Sequence, residues 1–335
     1  MSAPAYFTDR PIGPSAKTWI KHAALLLATL VTSTIAGTLY PFGRNQTLPI
    51  DDPQSFQEVI QFILVMPAKY AAIVGNAVYL LATNTEYLRY GASFSLSLLF
   101  ILISHEMGHY VACRIYRVEA TLPYFIPTPP LIGPAGTFGA FIKILSPMPS
   151  RKAVFDIGVA GPIAGFIALI PIAIIGIATM QPATAEQVAN AGGIIFSDPP
   201  LVKIIGALLG KDPAMGFGNP FYFAAWVGLL VTALNLIPSG QLDGGHALYA
   251  VLGAGVHRWT GRIAFVAMAI LSILGWFYYN SPSGFLLAVL LAVMMRVKHP
   301  DPYDQTPVGA VRWIIAIAAL GIFMLSFVPF PIQIK

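Results

Sequence analysis

One stretch of this 335-residue chain is dense in groups that do chemistry: Ser104-His105-Glu106-Met107-Gly108-His109-Tyr110. His105 and His109 stand one helical turn apart, so on a helix both imidazoles share a face and can grip one zinc ion. Glu106 then reaches the water bound to that metal, where a carboxylate acts as a general base. With six His and five Glu in the chain, chance supplies only about 0.0016 matches to this pattern. The residues before it are apolar, and three ionisable groups at a helix end in lipid are costly without a partner such as a metal.

Catalytic zinc usually takes three protein ligands and one water, so two histidines leave the set incomplete. The longer metzincin pattern fails, because Ala112 and Ile115 stand where Gly and His are required. Glu119 sits in a polar loop a few residues on, and Glu186 falls across the membrane in the topology set out below. The strongest candidate is Asp243, in Asn235-Leu236-Ile237-Pro238-Ser239-Gly240-Gln241-Leu242-Asp243-Gly244-Gly245-His246 at the end of another apolar run. Pro238 and Gly240 break that run, freeing backbone groups that lipid tolerates only where they line a cavity. Taken alone, Asp243 would read as a helix cap; at the depth of the histidine pair it reads as a ligand. His246 either orients Asp243 or faces the cytoplasm, the second being the simpler reading, and Cys113 reads as a small apolar filler. Asn235 is an amide in an apolar span, so it either supports the site or bonds one helix to another.

The elements that must position these groups are membrane helices. The chain is 56% apolar and only 10% charged, with a mean hydropathy of +0.72. So few charges cannot cover a globular surface in water, and the composition also excludes disordered and collagenous classes. The net charge of +5 is too diffuse for a nucleic-acid patch, and one cysteine permits no internal disulfide. Seven runs fit a bilayer: roughly 22–40, 92–112, 156–179, 219–237, 262–280, 284–297 and 311–330. The first is expected to be an uncleaved anchor. Trp19, Trp276 and Trp313 fall near span ends, as headgroup anchors or as packing.

Segment 60–83 is apolar but holds Pro67, Lys69, Gly75 and Asn76. If it does not span, thirteen of nineteen basic residues share the side of the HExxH end: Arg10, Lys17, Lys21, Arg114, Arg117, Lys143, Arg151, Lys152, Arg258, Arg262, Arg296, Lys298 and Arg312. The expectation is therefore an extracytoplasmic amphipathic or re-entrant segment. Residues 136–145 are rich in β-formers and follow a proline-rich stretch, so an edge strand or a plain amphipathic hairpin fits there. Gly161 and Gly165 read as helix packing. His22, His257 and His299 lie at span ends, where solvated roles suffice. Gly133, Gly136 and Gly139 carry no nucleotide-binding signature.

HEMGH in one membrane helix and NLIPSGQLDGGH in a later one resemble the site-2 protease family of intramembrane zinc metalloproteases. The family's HExxH maps to His105, Glu106 and His109, and its NxxPxxxLDG to Asn235, Pro238, Leu242, Asp243 and Gly244. GTFGAFIKI at 136–144 and DIGVAGPIAGF at 156–166 resemble its glycine-bearing loop and middle core helix. The resemblance covers roughly residues 92–250 and implies Zn2+ held by His105, His109 and Asp243, with Glu106 catalytic and Asn235 at substrate or transition state. It also implies membrane-spanning protein substrates, with Gly136, Thr137, Phe138 and Gly139 as a possible substrate-strand loop. No PDZ or CBS domain is expected, since the loop at about 181–218 is shorter than the roughly 50 residues a domain needs.

The expected fold is an all-α polytopic membrane protein of about seven helices, with a three-helix catalytic core and a short β-like loop. Its expected parts are an anchor and extracytoplasmic segment (1–91), the core (92–250) and C-terminal helices (251–335). The expected place is a bacterial inner membrane with the site toward the cytoplasm, and no nucleic-acid partner. A zinc peptidase of soluble or lipidated chains, completed by a Glu ligand, and a non-catalytic scaffold or transporter are the competing readings.

Overall fold

A backbone in lipid must satisfy its own N–H and C=O groups, so the apolar runs become helices. A computed structural model describes residues 13–43, 55–184, 186–187, 193–295 and 301–334. Its helices are α1 (Ala16–Thr38), α2 (Phe56–Thr83), α3 (Thr85–Ile115), α4 (Arg151–Ala178), α5 (Pro200–Leu208), α6 (Pro220–Leu236), α7 (Asp243–Tyr279), α8 (Ser283–Met294) and α9 (Ala310–Ser326). Among the described residues, α1, α2, α3, α4 and α7 are long and apolar enough to cross a membrane, while α6, α8 and α9 are shorter apolar helices. The seven predicted runs fall on α1, α3, α4, α6, the later part of α7, α8 and α9. Arg10, Arg296, Lys298 and His299 lie outside the described residues.

The core forms where α3, α4 and α6 pack together, with Leu98, Leu169 and Leu229 fully buried among them. Small residues bring the backbones close. A Cβ on Gly108 of α3 would stand 2.4 Å from the Ala160 carbonyl of α4, and one on Gly176 would stand 2.6 Å from the Tyr222 nitrogen of α6. Pro162 and Pro171 lie inside α4, as membrane helices tolerate when neighbours satisfy the freed groups. Helix α1 runs antiparallel to α3. Near its C-terminus Gly37 packs on the Phe94 ring, and Thr34 packs against Gly91 and bonds Ser95 at 2.7 Å.

Segment 60–83, expected to be an amphipathic or re-entrant segment, lies in one 28-residue helix, α2, about 42 Å long, with Pro67 inside it. Ser55 caps its first turn, and of its residues only Ala77 is buried.

The expected β-like loop is a hairpin of β1 (Tyr124–Pro127) and β2 (Thr137–Phe141), antiparallel. The ribbon continues past β2, with Thr121 N–H donating to the Lys143 carbonyl (2.9 Å) and Leu145 N–H to the Glu119 carbonyl (2.8 Å). Helix α1 holds it in place: Thr32 donates to the Gly136 carbonyl at 2.7 Å, and His22 Nδ1 meets the Pro123 carbonyl at 2.8 Å. His22 is therefore buried under Tyr124 rather than solvated. Trp19, Trp276 and Trp313 are exposed over about half of their surface, and Trp276 meets the Phe285 ring edge-on. On the opposite face, Ile332–Ile334 pairs with Ile194–Phe196 near the C-terminal end of the described chain.

Candidate metal centre

Helix α3 carries His105 and His109 one turn apart, and both side chains are buried. Helix α6 ends at Leu236, and the chain turns through Pro238 and through Gly240 at φ 55° before α7 begins at Asp243. Residue Leu242 occupies the N-cap position, so the Asp243 carboxylate is free of capping and points at the histidines. Its Oδ2 lies 3.3 Å from His105 Nε2 and 3.3 Å from His109 Nε2. The two Nε2 atoms are 3.1 Å apart.

This triangle passes a test of fit. Ligands about 2.0–2.1 Å from a tetrahedral zinc are separated from one another by about 3.3 Å. Two imidazole nitrogens and a carboxylate oxygen are the donor chemistry that zinc takes, and among the described residues these three form the one such cluster. His109 Nδ1–H donates to the Ile157 carbonyl at 2.7 Å, which puts its proton on Nδ1 and leaves the Nε2 lone pair for a cation.

Glu106 is buried beside the triangle, and the Ile142 N–H is directed at its carboxylate. Asn235 Nδ2 stands 3.3 Å from His105 Nε2, so its amide borders the triangle. All five side chains line one cavity of about 560 Å³. The wall facing them is the stretch from Ala140 to Met148, and Gly136, Thr137, Phe138 and Gly139 do not take part. Thr137, Phe138 and Gly139 start β2, and Gly136 just before it is seated on α1 at φ 73° in a gap where a Cβ would strike the Thr32 carbonyl at 2.4 Å.

His246 also lines the cavity. His257 Nε2 meets the Gly240 carbonyl at 3.0 Å and so steadies the turn before Asp243, where a solvated role was expected. Cys113 is buried in the apolar cluster of Val118 and Phe155, as a filler should be. Glu119 gives its backbone N–H to Ser146 Oγ and stays out of the ligand set.

Two features escaped the sequence reading. The Ile157 carbonyl leaves no signal in a sequence, because any residue type offers one. Gly161 and Gly165 do more than bring helices together: a Cβ on Gly161 would stand 2.0 Å from His109 Nε2, and one on Gly165 would stand 3.1 Å from His105 Cβ. Their spacing of four on α4, matching that of the two histidines on α3, was the available signal.

A family profile described as Peptidase family M50 matches residues 93–275. The probable zinc metalloprotease EGY1, chloroplastic, of Arabidopsis thaliana is 30% identical over 68% of this chain and 41% of its own length. The probable zinc metalloprotease EGY2, chloroplastic, of Oryza sativa subsp. indica is 27% identical over 74% of this chain and 45% of its own. The chain thus spans less than half the length of these relatives. No solved structure matches. Both relatives are named as chloroplast proteins, which runs against the bacterial inner membrane expected from the sequence. With the profile covering more than half of the chain and its span enclosing all three ligand candidates, the chain belongs to peptidase family M50, the site-2 protease family whose motifs it carries.

Proposed function

We propose that the chain is an intramembrane zinc endopeptidase that hydrolyses peptide bonds within membrane-spanning helices of other proteins, near the membrane side that carries its own basic loops. The observation that carries this reading is the buried His105, His109 and Asp243 triangle with Glu106 beside it, opening on a cavity among membrane helices. The relatives' names as zinc metalloproteases support the choice of metal.

His105, His109 and Asp243 would hold the zinc ion. When bound, zinc lowers the pKa of a water toward 7 and polarises the scissile carbonyl. Glu106 accepts the proton of the attacking water and passes it to the leaving amide nitrogen. Asn235 Nδ2–H is close enough to the site to stabilise the oxygen on which negative charge develops. A helical substrate hides its peptide bonds in i to i−4 hydrogen bonds, so it must unwind before it is cut. Lys143 and Leu145 turn their backbone groups toward residues 119–121, so by strand alternation Ile142 and Ile144 turn theirs to the cavity side. With the Ile142 N–H already directed at Glu106, the edge at Ile144 receives the unwound segment by strand addition.

Orientation follows from parity. Helices α1 and α3 are antiparallel neighbours, so the chain between them crosses the membrane an even number of times. A crossing by α2 would need a second one within residues 39–55, which are seventeen in number, hold Arg44, Asp51 and Asp52, and fall short of the about 20 apolar residues required. On this reading helix α2 lies along the membrane, and the site opens on the side that carries the basic loops.

The test compares cells making the native chain or Glu106→Gln at matched levels, with membrane-retained and released fragments measured by quantitative proteomics. Release of soluble fragments from membrane-spanning proteins only with native Glu106 is the expected result. Identical fragment sets would overturn the proposal.

A further inference from the structure

We infer that Arg151 is a positioning residue for Asp243, acting through the short helix that carries that carboxylate. The inference rests on the proposed reading of Asp243 as a metal ligand.

Helix α7 is not one rod. Gly253 has φ 82° and ψ 173°, a backbone region that is essentially glycine's alone, and it divides α7 after Leu252. The piece that begins with Asp243 is therefore a short helix with its own C-terminal end. A helix end leaves its last carbonyls without intrahelical partners, so donors must come from elsewhere. Arg151 supplies the partners: Nε donates to the Ala250 carbonyl at 2.9 Å and Nη2 to the Val251 carbonyl at 3.3 Å. Its Nη1 reaches the Gln305 carbonyl at 3.4 Å, so one guanidinium joins the ligand-bearing helix to the segment before α9. A cation at a helix C-terminus is also favoured by the peptide dipoles.

The position of Arg151 gives this contact its reach. It is the first residue of α4, the helix whose Ile157 carbonyl fixes His109 and whose glycines seat both histidine rings. At the near end of the short helix, Gly158 of α4 packs against Asp243 and His246. At the far end, Arg151 is the tie. Both ends of the Asp243 helix are thus referred to α4, which sets the separation between the carboxylate and the imidazoles. A lysine offers its three donors from a single nitrogen, without the planar fork that spreads Arg151's donors toward three separate carbonyls.

Lys211 offers a matched control, because its Nζ caps the Ala178 (2.6 Å) and Met180 (3.2 Å) carbonyls at the other end of α4, remote from the site. The experiment measures the zinc dissociation constant by chelator competition, and thermal unfolding of the metal-free form, on the full chain in lipid nanodiscs. Arg151→Gln is expected to weaken zinc binding about 10–100-fold, as loss of supporting partners around a metal site typically does. Arg151→Lys should fall between that and native, while Lys211→Gln should bind as native does. Native affinity in Arg151→Gln, or an equal loss in Lys211→Gln, would overturn the inference. If Arg151→Gln does not fold, native affinity in Arg151→Lys overturns it instead. A native chain that binds no zinc would fell the reading of the centre itself, a separate failure.

Discussion

Glu106 and Asp243 are both carboxylates enclosed by membrane helices, and their neighbours give them different work. Asp243 Oδ2 closes a triangle with two imidazole nitrogens, whereas Glu106 lines the cavity without joining that cluster. Glu106→Gln is therefore expected to keep its zinc and to lose about 10²–10⁴-fold in cleavage rate, the usual share of a general base. Asp243→Ala should lose the metal and the activity together. Zinc content by mass spectrometry and cleavage of a helical reporter check both, and retained zinc in Asp243→Ala would favour a set completed by a Glu. The histidine pair was legible because HExxH is so rare by chance. Asp243 was legible only through the broken helix around Pro238 and Gly240, and the partner of His109 was not legible, because a backbone carbonyl has no letter of its own.

At the scale of elements, α4 is the member against which the others are set. Gly161→Ala should drive the His109 ring from its place and abolish zinc binding, because its Cβ would stand 2.0 Å from Nε2. Gly165→Ala meets His105 Cβ at 3.1 Å and should be milder, with overpacking of about 1–3 kcal/mol and metal retained. Metal titration of the two variants side by side decides this. Helix α4 is also tied to α9: Arg312 donates to Asp156 Oδ1 at 2.9 Å and Oδ2 at 2.6 Å and to Tyr116 OH at 3.1 Å, next to the Ile157 that orients His109. Arg312→Gln should cost about 1–3 kcal/mol of stability in denaturant unfolding, between the values for exposed and buried pairs. Hydropathy located the spans because lipid permits only helices there. It left α2 ambiguous because one long apolar helix can lie along a membrane as well as cross it, and it put His22 in solvent because the sequence does not show that Tyr124 folds over it.

At the scale of the whole molecule, the three donors join α3 to α7 across more than a hundred residues of chain, so the metal is a tertiary fastening as well as a reagent. Chelation is expected to lower the unfolding temperature of the full chain, and zinc at 100 times its dissociation constant to add about 2.7 kcal/mol. A melting curve indifferent to zinc would count against the centre. The ribbon held down by α1 has a different kind of consequence. A partner helix repeats every 3.6 residues, but an edge strand reads every second residue. If unwound chains lie along Ile142 and Ile144, the residues flanking the cut will show preferences at alternate positions, a rhythm that no face of the intact helix possesses.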